Sequence, residues 1–379
     1  MRVVPHILHV AQPVEGGVAR VVTDLVAAQL GSGLRVTVAA PPGGTLTDSL
    51  TSLGCAVRRW DATRAPGPRL PGEVRRLARL VREVRPDLVH AHSAKAGLAA
   101  RLAVRGALPT VFQPHAWSFE AAGPVVNRAA LGWERFGARW AARVVCVSEG
   151  ERRTGERHGV RAVWRVVPNG VDTARFRPEG SRADVEGAPL VVCVGRLCRQ
   201  KGQDVLLGAW PEVARSVPGA RLVLVGDGPD GERLRLGAPA SVRFAGAVAD
   251  AAPWYRAADV VVLPSRWEGM ALAPLEAMAC GRPVVVTDVD GARESLPSEA
   301  RAACLVPPDD PGALARALTA LLLDGPLRSE LGARARTHTL AAHDLRRATD
   351  AVTDVYRELL GGPTAPVVGP YEGRKCITT

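Results

Sequence analysis

Along most of the chain, short β-branched apolar runs alternate with longer stretches in which apolar residues return at helical spacing. The first pattern suits a strand buried on both faces and the second a helix buried on one, so their alternation reads as βαβ units around parallel sheets. In the first half, strands are predicted at 6–11 (HILHVA), 35–40 (RVTVAA), 87–92 (DLVHAH), 110–116 (TVFQPHA) and 143–148 (RVVCVS). Amphipathic helices lie between them, such as EVRRLARLVREV, whose Leu77, Leu80, Val81 and Val84 share one face.

The alternation breaks over residues 166–189, where Pro, Gly, Asn and Asp cluster without periodicity. A second α/β set follows, with strands predicted at 190–195, 221–226, 242–246, 260–265, 283–288 and 303–307. Two doubly wound, Rossmann-like α/β domains are expected, with ligands at the carboxyl ends of their strands in an interdomain cleft. The expected division is a first domain at 1–168, a linker at 169–189 and a second domain at 190–341. A helix at 342–360 then packs back across the lobes, and 361–379 is a flexible tail.

Composition narrows the class. Hydrophobic residues make up 47% of the 379 positions, enough for packed cores despite an aromatic content of 4%. No apolar run reaches the ~18 residues needed to span a bilayer, and MRVVPHILHVAQPVEGG is strand-like rather than a leader, so cytosolic placement is expected. The seven cysteines show no paired metal-ligand spacing, and Cys146 and Cys193 sit in apolar runs as small hydrophobes. A net charge of +11 without any nucleic-acid motif favours anionic small substrates or an anionic membrane surface over nucleic acid. Only Lys95, Lys201 and Lys375 are lysine among 49 basic residues, which singles out Lys95 and Lys201 as candidate point charges for phosphate.

The chemistry concentrates in SRWEGMALAPLEAMACGRPVVV. A helix is predicted to start near Pro274 and stop at Gly281, with Glu268 in the loop before it and Glu276 in its first turn. The amides of Gly269, Met270, Ala271 and Leu272 form an anion cradle, flanked by two carboxylates that accept hydrogen bonds from hydroxyls. A nucleotide sugar has that layout, with sugar hydroxyls on one side of a diphosphate and ribose hydroxyls on the other. A first-turn Glu276 also favours the helix dipole without any ligand. In VGRLCRQKGQDVLL, Arg196 and Lys201 follow a buried strand and can neutralise a diphosphate that has no metal ion.

Gly226, Gly228 and Gly231 make a G-x-G-x-x-G, but Asp227 would face a pyrophosphate and the motif follows the domain's second strand. In the first half, Gly16 and Gly17 precede a helix and let its amides approach a ligand. His115 ends a strand at the same cleft, either as a structural residue or bonded to a sugar hydroxyl. His90 and His92 alternate on one strand face with no third ligand placed near them, so no metal site is expected. Asp288 and Asp290 read as a turn. Trp133, Phe136 and Trp140 in a basic segment fit either core packing or contact with a membrane surface.

From Gly16 to about Leu360 the chain resembles glycosyltransferase family 4, retaining enzymes of the GT-B fold. The resemblance rests on the order EGG, VPNGVD, VGRLCRQKG, VGDGP and the E-x7-E pair Glu268 and Glu276 in EGMALAPLEAMACGRPVV. It implies a hexosyl transfer from a nucleotide sugar, UDP ahead of GDP, without cofactor or metal. By the same resemblance Arg196 and Lys201 bind the diphosphate, Glu276 the ribose, Glu268 the sugar, Gly17 the phosphates across the cleft, Gly226 of VGDGP belongs to the donor-binding residues, and His115 lies near the donor sugar. Ala19 stands where the family usually has a glutamate, and Met270 where an aromatic is commoner. The segment HAHSAKAGLAARL is similar to that region in exopolysaccharide enzymes acting on lipid diphosphates, which makes Lys95 a candidate for the acceptor phosphate and a lipid-linked glycan the expected acceptor. A soluble natural-product acceptor is the second expectation, and a GT-B-like nucleotide-sugar epimerase the alternative from another class.

Overall fold

A computed structural model describes residues 4–120, 124–185 and 189–361. Seven parallel strands form the first sheet in the order β3-β2-β1-β4-β5-β6-β7. They are β1 His6–Ala11, β2 Arg35–Ala40, β3 Ala56–Arg59, β4 Leu88–His92, β5 Thr110–Gln113, β6 Arg143–Cys146 and β7 Trp164–Val166. Six more parallel strands form the second sheet in the order β10-β9-β8-β11-β12-β13. These are β8 Leu190–Val194, β9 Arg221–Val225, β10 Val242–Gly246, β11 Val260–Leu263, β12 Val284–Thr287 and β13 Leu305–Val306. Each sheet runs outward in both directions from its first strand, so a crevice opens where β1 meets β4 and where β8 meets β11.

The apolar runs explain the strands. Ile7, Leu8 and Val10 of β1, and Val191 and Val192 of β8, are fully buried, as helices on both faces of a parallel sheet require. The helix Leu70–Val84 buries Leu77, with Leu80, Val81 and Val84 packed on the same cluster, as its periodicity predicts. Six described cysteines are buried free thiols.

Two strands escaped the sequence pattern. β3 is a polar edge strand (AVRR) and β7 has three residues, too few to show alternation. The strand predicted at 110–116 stops at Gln113, because Pro114 supplies no amide and His115 and Ala116 take positive φ angles of 58° and 114°. Residues 303–304, predicted as strand, belong to the helical turn Arg301–Cys304.

The last described helix, Leu345–Leu359, returns to the first sheet and packs Val352, Val355 and Tyr356 against Ile7, Leu25 and Leu88. Among the described residues no helix is long and apolar enough to cross a membrane. Trp133, Phe136 and Trp140 cluster with ring centroids 5.1–6.2 Å apart, but Phe136 keeps 44% of its surface exposed, so the cluster is only partly core.

Candidate active site

The helix predicted to begin near Pro274 begins at Leu272 and runs to Ala279, with Gly281 at φ 72° just past its end. Glu276 is therefore its fifth residue, two positions further in than predicted and past the first turn, and so no longer a simple dipole-favouring residue. Tyr255 Oη donates to Glu276 Oε2 at 2.7 Å, and burial raises the Glu276 carboxyl above its ordinary value. The helix's first amides, with those of Gly269 and Met270, find no acceptor among the described residues.

Lys201 and Glu268 meet at 2.5 Å, and Ser265 Oγ donates to the same Glu268 Oε1 at 2.7 Å. Lys201 follows β8 and Glu268 follows β11, which are neighbours in the sheet, so both side chains stand at the strands' carboxyl ends. Arg196, half-buried in the same loop after β8 as Lys201, makes no side-chain hydrogen bond or ion pair among the described residues. Opposite stands the helix Gly17–Gly31. A side-chain carbon placed on Gly17 would lie 3.9 Å from Leu272 Cδ1, so the amino ends of two helices, one from each lobe, face each other.

The lobes touch directly beside this point. Ser148 Oγ donates to the Gly269 carbonyl at 2.8 Å, and Asn169 Nδ2 to the Met270 carbonyl at 2.8 Å. The backbone amides of Glu149 and Gly150, at the amino end of helix Glu149–Arg157, hold the Glu294 carboxylate at 2.7 and 2.8 Å. Glu151 accepts from the amides of Ala116 and Val147 at 2.7 Å each, which fixes the left-handed His115–Ala116 turn. Burial pushes the Glu151 carboxyl up to about 7 and the His115 imidazole down to about 3.

Several expectations are corrected. Lys95 does not offer its charge to an acceptor: it is buried against Glu73 at 2.6 Å and donates to the Ala65 carbonyl. The compactness that makes lysine suit a phosphate also suits a closed internal pair. Gly226 donates its amide to the Gly246 carbonyl at 2.7 Å, and any Cβ there would meet the Gly195 oxygen at 2.2 Å, so it serves close packing of two loops rather than a free amide cradle. Asp288 and Asp290 lie in the turn after β12 as expected, Asp288 paired with Arg293 and Asp290 accepting from Thr154. His90 and His92 do have a third histidine near them, His9 of the neighbouring β1, with ring nitrogens of all three within 4.8 Å. The register that sets His9 opposite His90 is not visible in a single sequence.

Tyr255, Ser265, Glu151 and Arg64 also escaped notice. Arg64 lies in a loop that Glu73 and Lys95 pin at Thr63 and Ala65. Burial and then the charge of Arg196 hold the Arg64 guanidinium below its ordinary value, which puts a third cation at the Arg196 end of the site.

Two facing doubly wound sheets that share the strand order 3-2-1-4-5-6, the first extended by a seventh strand, joined across a cleft, are the GT-B architecture of glycosyltransferases. Glycosyl transferases group 1 matches residues 188–324, and Glycosyltransferase Family 4 matches residues 15–175. A GDP-mannose-dependent α-(1-6)-phosphatidylinositol monomannoside mannosyltransferase of Mycobacterium tuberculosis is 31% identical over 86% of this chain and 90% of that protein. A D-inositol 3-phosphate glycosyltransferase of Saccharomonospora viridis is 38% identical, but the match spans 52% of this chain and 50% of that protein. Among solved structures, an Anabaena protein bound to UDP-glucose superposes with a TM-score of 0.78 at 23% identity over 93% of this chain and 100% of its own. The chain belongs to glycosyltransferase family 4 and is a glycosyltransferase.

Proposed function

We propose that this enzyme transfers a hexosyl group from a nucleoside-diphosphate sugar to a hydroxyl of a lipid-linked or polysaccharide glycan intermediate, with retention at the anomeric carbon. The observation that carries the reading is the convergence of Arg196, Lys201, Glu268 and the unpaired amides of helix Leu272–Ala279 opposite the amino end of helix Gly17–Gly31. Positive side chains and two helix amino ends around one gap fit a diphosphate. Glu268 lies where it can take sugar hydroxyls, and Glu276, held by Tyr255, where it can take ribose hydroxyls.

In the step this implies, the acceptor oxygen bonds to the anomeric carbon as the bond from that carbon to the β-phosphate oxygen breaks on the same face. The acceptor's proton passes to the departing phosphate. Arg196, Lys201 and the helix amides stabilise the charge that develops there; removing one such donor costs about 10²–10³ in rate. The mannosyltransferase relative favours GDP-mannose as the first donor to test, with UDP-glucose next. The exposed Phe136, beside Trp133, Trp140 and the exposed Arg135 and Arg139, supports peripheral contact with an anionic membrane where a lipid acceptor resides.

The test is transfer from radiolabelled GDP-mannose or UDP-glucose into membrane lipid extract or into aqueous acceptors. Label entering the lipid phase is expected. Label confined to aqueous products overturns the lipid acceptor, and no donor consumption with either acceptor overturns the transfer of a sugar from these donors.

A further inference from the structure

Behind His115 lies a buried set of histidines that the transfer step does not use. β1 pairs with β4 so that His9 stands opposite His90 and Ala11 opposite His92, and β4 pairs with β5 so that His92 stands opposite Gln113. His9, His90 and His92 are fully buried. Their contacts form a continuous line. Gln29 Oε1 lies 2.8 Å from His9 Nε2, His9 Nδ1 lies 2.9 Å from His92 Nε2, and His92 Nδ1 lies 3.2 Å from His115 Nε2. The rings of His9 and His92, and of His92 and His115, are nearly parallel, tilted by 19° and 24°, with centroids 5.2 and 5.5 Å apart, the spacing of imidazoles that meet edge to edge through their nitrogens.

A neutral imidazole has one donor nitrogen and one acceptor nitrogen. With Gln29 Oε1 towards His9, the Nε2 of His9 carries the proton and its Nδ1 accepts. His92 must then donate from Nε2 and accept at Nδ1, and His115 must donate inward from Nε2. His115 Nδ1, with no protein partner among the described residues, is left with a bare lone pair. At the far end Gln29 Nε2 donates to Tyr356 Oη at 3.4 Å, and Tyr356 Oη lies 2.5 Å from His90 Nδ1, so a residue of the C-terminal helix orients the amide that sets the direction. A protonated ring would carry two donors and break the line; burial opposes that, taking His9 to about 4 and holding His90 and His92 well below the ordinary value.

We propose that Tyr356, Gln29, His9 and His92 are positioning residues forming a one-directional hydrogen-bond relay, which sets the tautomer of His115 and presents its Nδ1 to the cleft as an acceptor for a substrate hydroxyl. The hydroxyl's identity rests on the function proposed above; the relay itself does not.

The experiment has two arms. In protein with ¹⁵N-labelled imidazoles and no substrate, NMR should show through-hydrogen-bond couplings from His92 Nε2 to His9 Nδ1 and from His115 Nε2 to His92 Nδ1, with His115 Nδ1 unprotonated. Missing couplings, a protonated His115 Nδ1, or one tightly bound zinc per chain by elemental analysis overturns the relay, since a metal would take the nitrogens that His9 and His92 share. In the second arm, His9→Phe, two steps from the cleft, should lower kcat about tenfold or more while the donor KM stays within about twofold. An unchanged kcat in a folded His9→Phe enzyme overturns the positioning role. If the wild type shows the couplings yet consumes no nucleotide sugar, the proposed function fails and the relay stands.

Discussion

Lys201 Nζ and Glu268 Oε1 lie 2.5 Å apart, joining the loop after β8 to the loop after β11 at the carboxyl edge of the second sheet. The side chains retain 20% and 10% of their surface, so the pair is sheltered yet open to a ligand. Each charge holds the other where a diphosphate sugar would meet both. Lys201→Ala and Glu268→Ala should each lower kcat/KM by about 10²–10³. The double variant should lose less than the product of the two, because partners in contact are not additive. A double-mutant cycle on initial rates measures this, and strict additivity argues against a shared role.

Among the described residues the Tyr255 hydroxyl makes its one hydrogen bond to Glu276, at 2.7 Å. Tyr255→Phe removes the donor hydroxyl and leaves the ring packed. The donor KM should rise several-fold with kcat little changed, and stability should fall by about 1 kcal/mol. Donor titration by calorimetry reads the first effect; unaltered affinity dissociates Glu276 from the nucleotide end.

The Lys95–Glu73 pair is buried at 3% and 0% side-chain exposure. Removing one partner strands a charge, so Lys95→Met should destabilise by about 3–5 kcal/mol, while Lys95→Met with Glu73→Leu should recover most of the loss. Because the pair also pins the loop that carries Arg64, the single variant should weaken substrate binding as well. Denaturant melts of the three proteins decide the point.

Gly269 packs tightly against the first lobe. A Cβ there would lie 2.8 Å from Val147 Cγ2, 2.9 Å from Glu151 Oε1 and 3.1 Å from the Ala116 amide. Gly269→Ala should therefore push the lobes apart at the His115 turn and lower kcat at least tenfold, equivalent to about 1.4 kcal/mol in the barrier. Small-angle scattering should show a more open molecule; an unchanged profile with normal turnover contradicts the close contact.

Stability should peak near neutral pH. His9 and His343 are each lowered to about 4, so between 4 and the ordinary 6.5 the unfolded chain binds more protons and stability falls as pH drops through that window. Glu120, raised to about 8 by burial and then by Asp290, holds its proton in the folded state, so stability falls as pH rises from 4.5 towards 8. Above 6.5 the raised carboxyls dominate, Glu120 at about 8 and Glu151 at about 7, so Glu120→Gln should reduce the decline in melting temperature between pH 6.5 and 8.

The sequence by itself determined the two α/β sets, the inner strands and the order of the motifs, because β-branched runs buried on both faces and helical periodicity are local properties that need no partner to be seen. Glu268, Lys201 and Arg196 were legible as chemistry for the same reason: charge placed just after an apolar strand stands out in one dimension. Partnership was decided only by the tertiary structure. Lys95 and Lys201 share the same rarity and a similar setting after a strand, yet one is closed against Glu73 and the other joined to Glu268 at the cleft. The line from Tyr356 to His115 draws on two strands, a turn and two helices far apart in the chain. Such contacts depend on strand register and lobe docking, which are set by packing over the whole molecule rather than by any residue's neighbours in sequence.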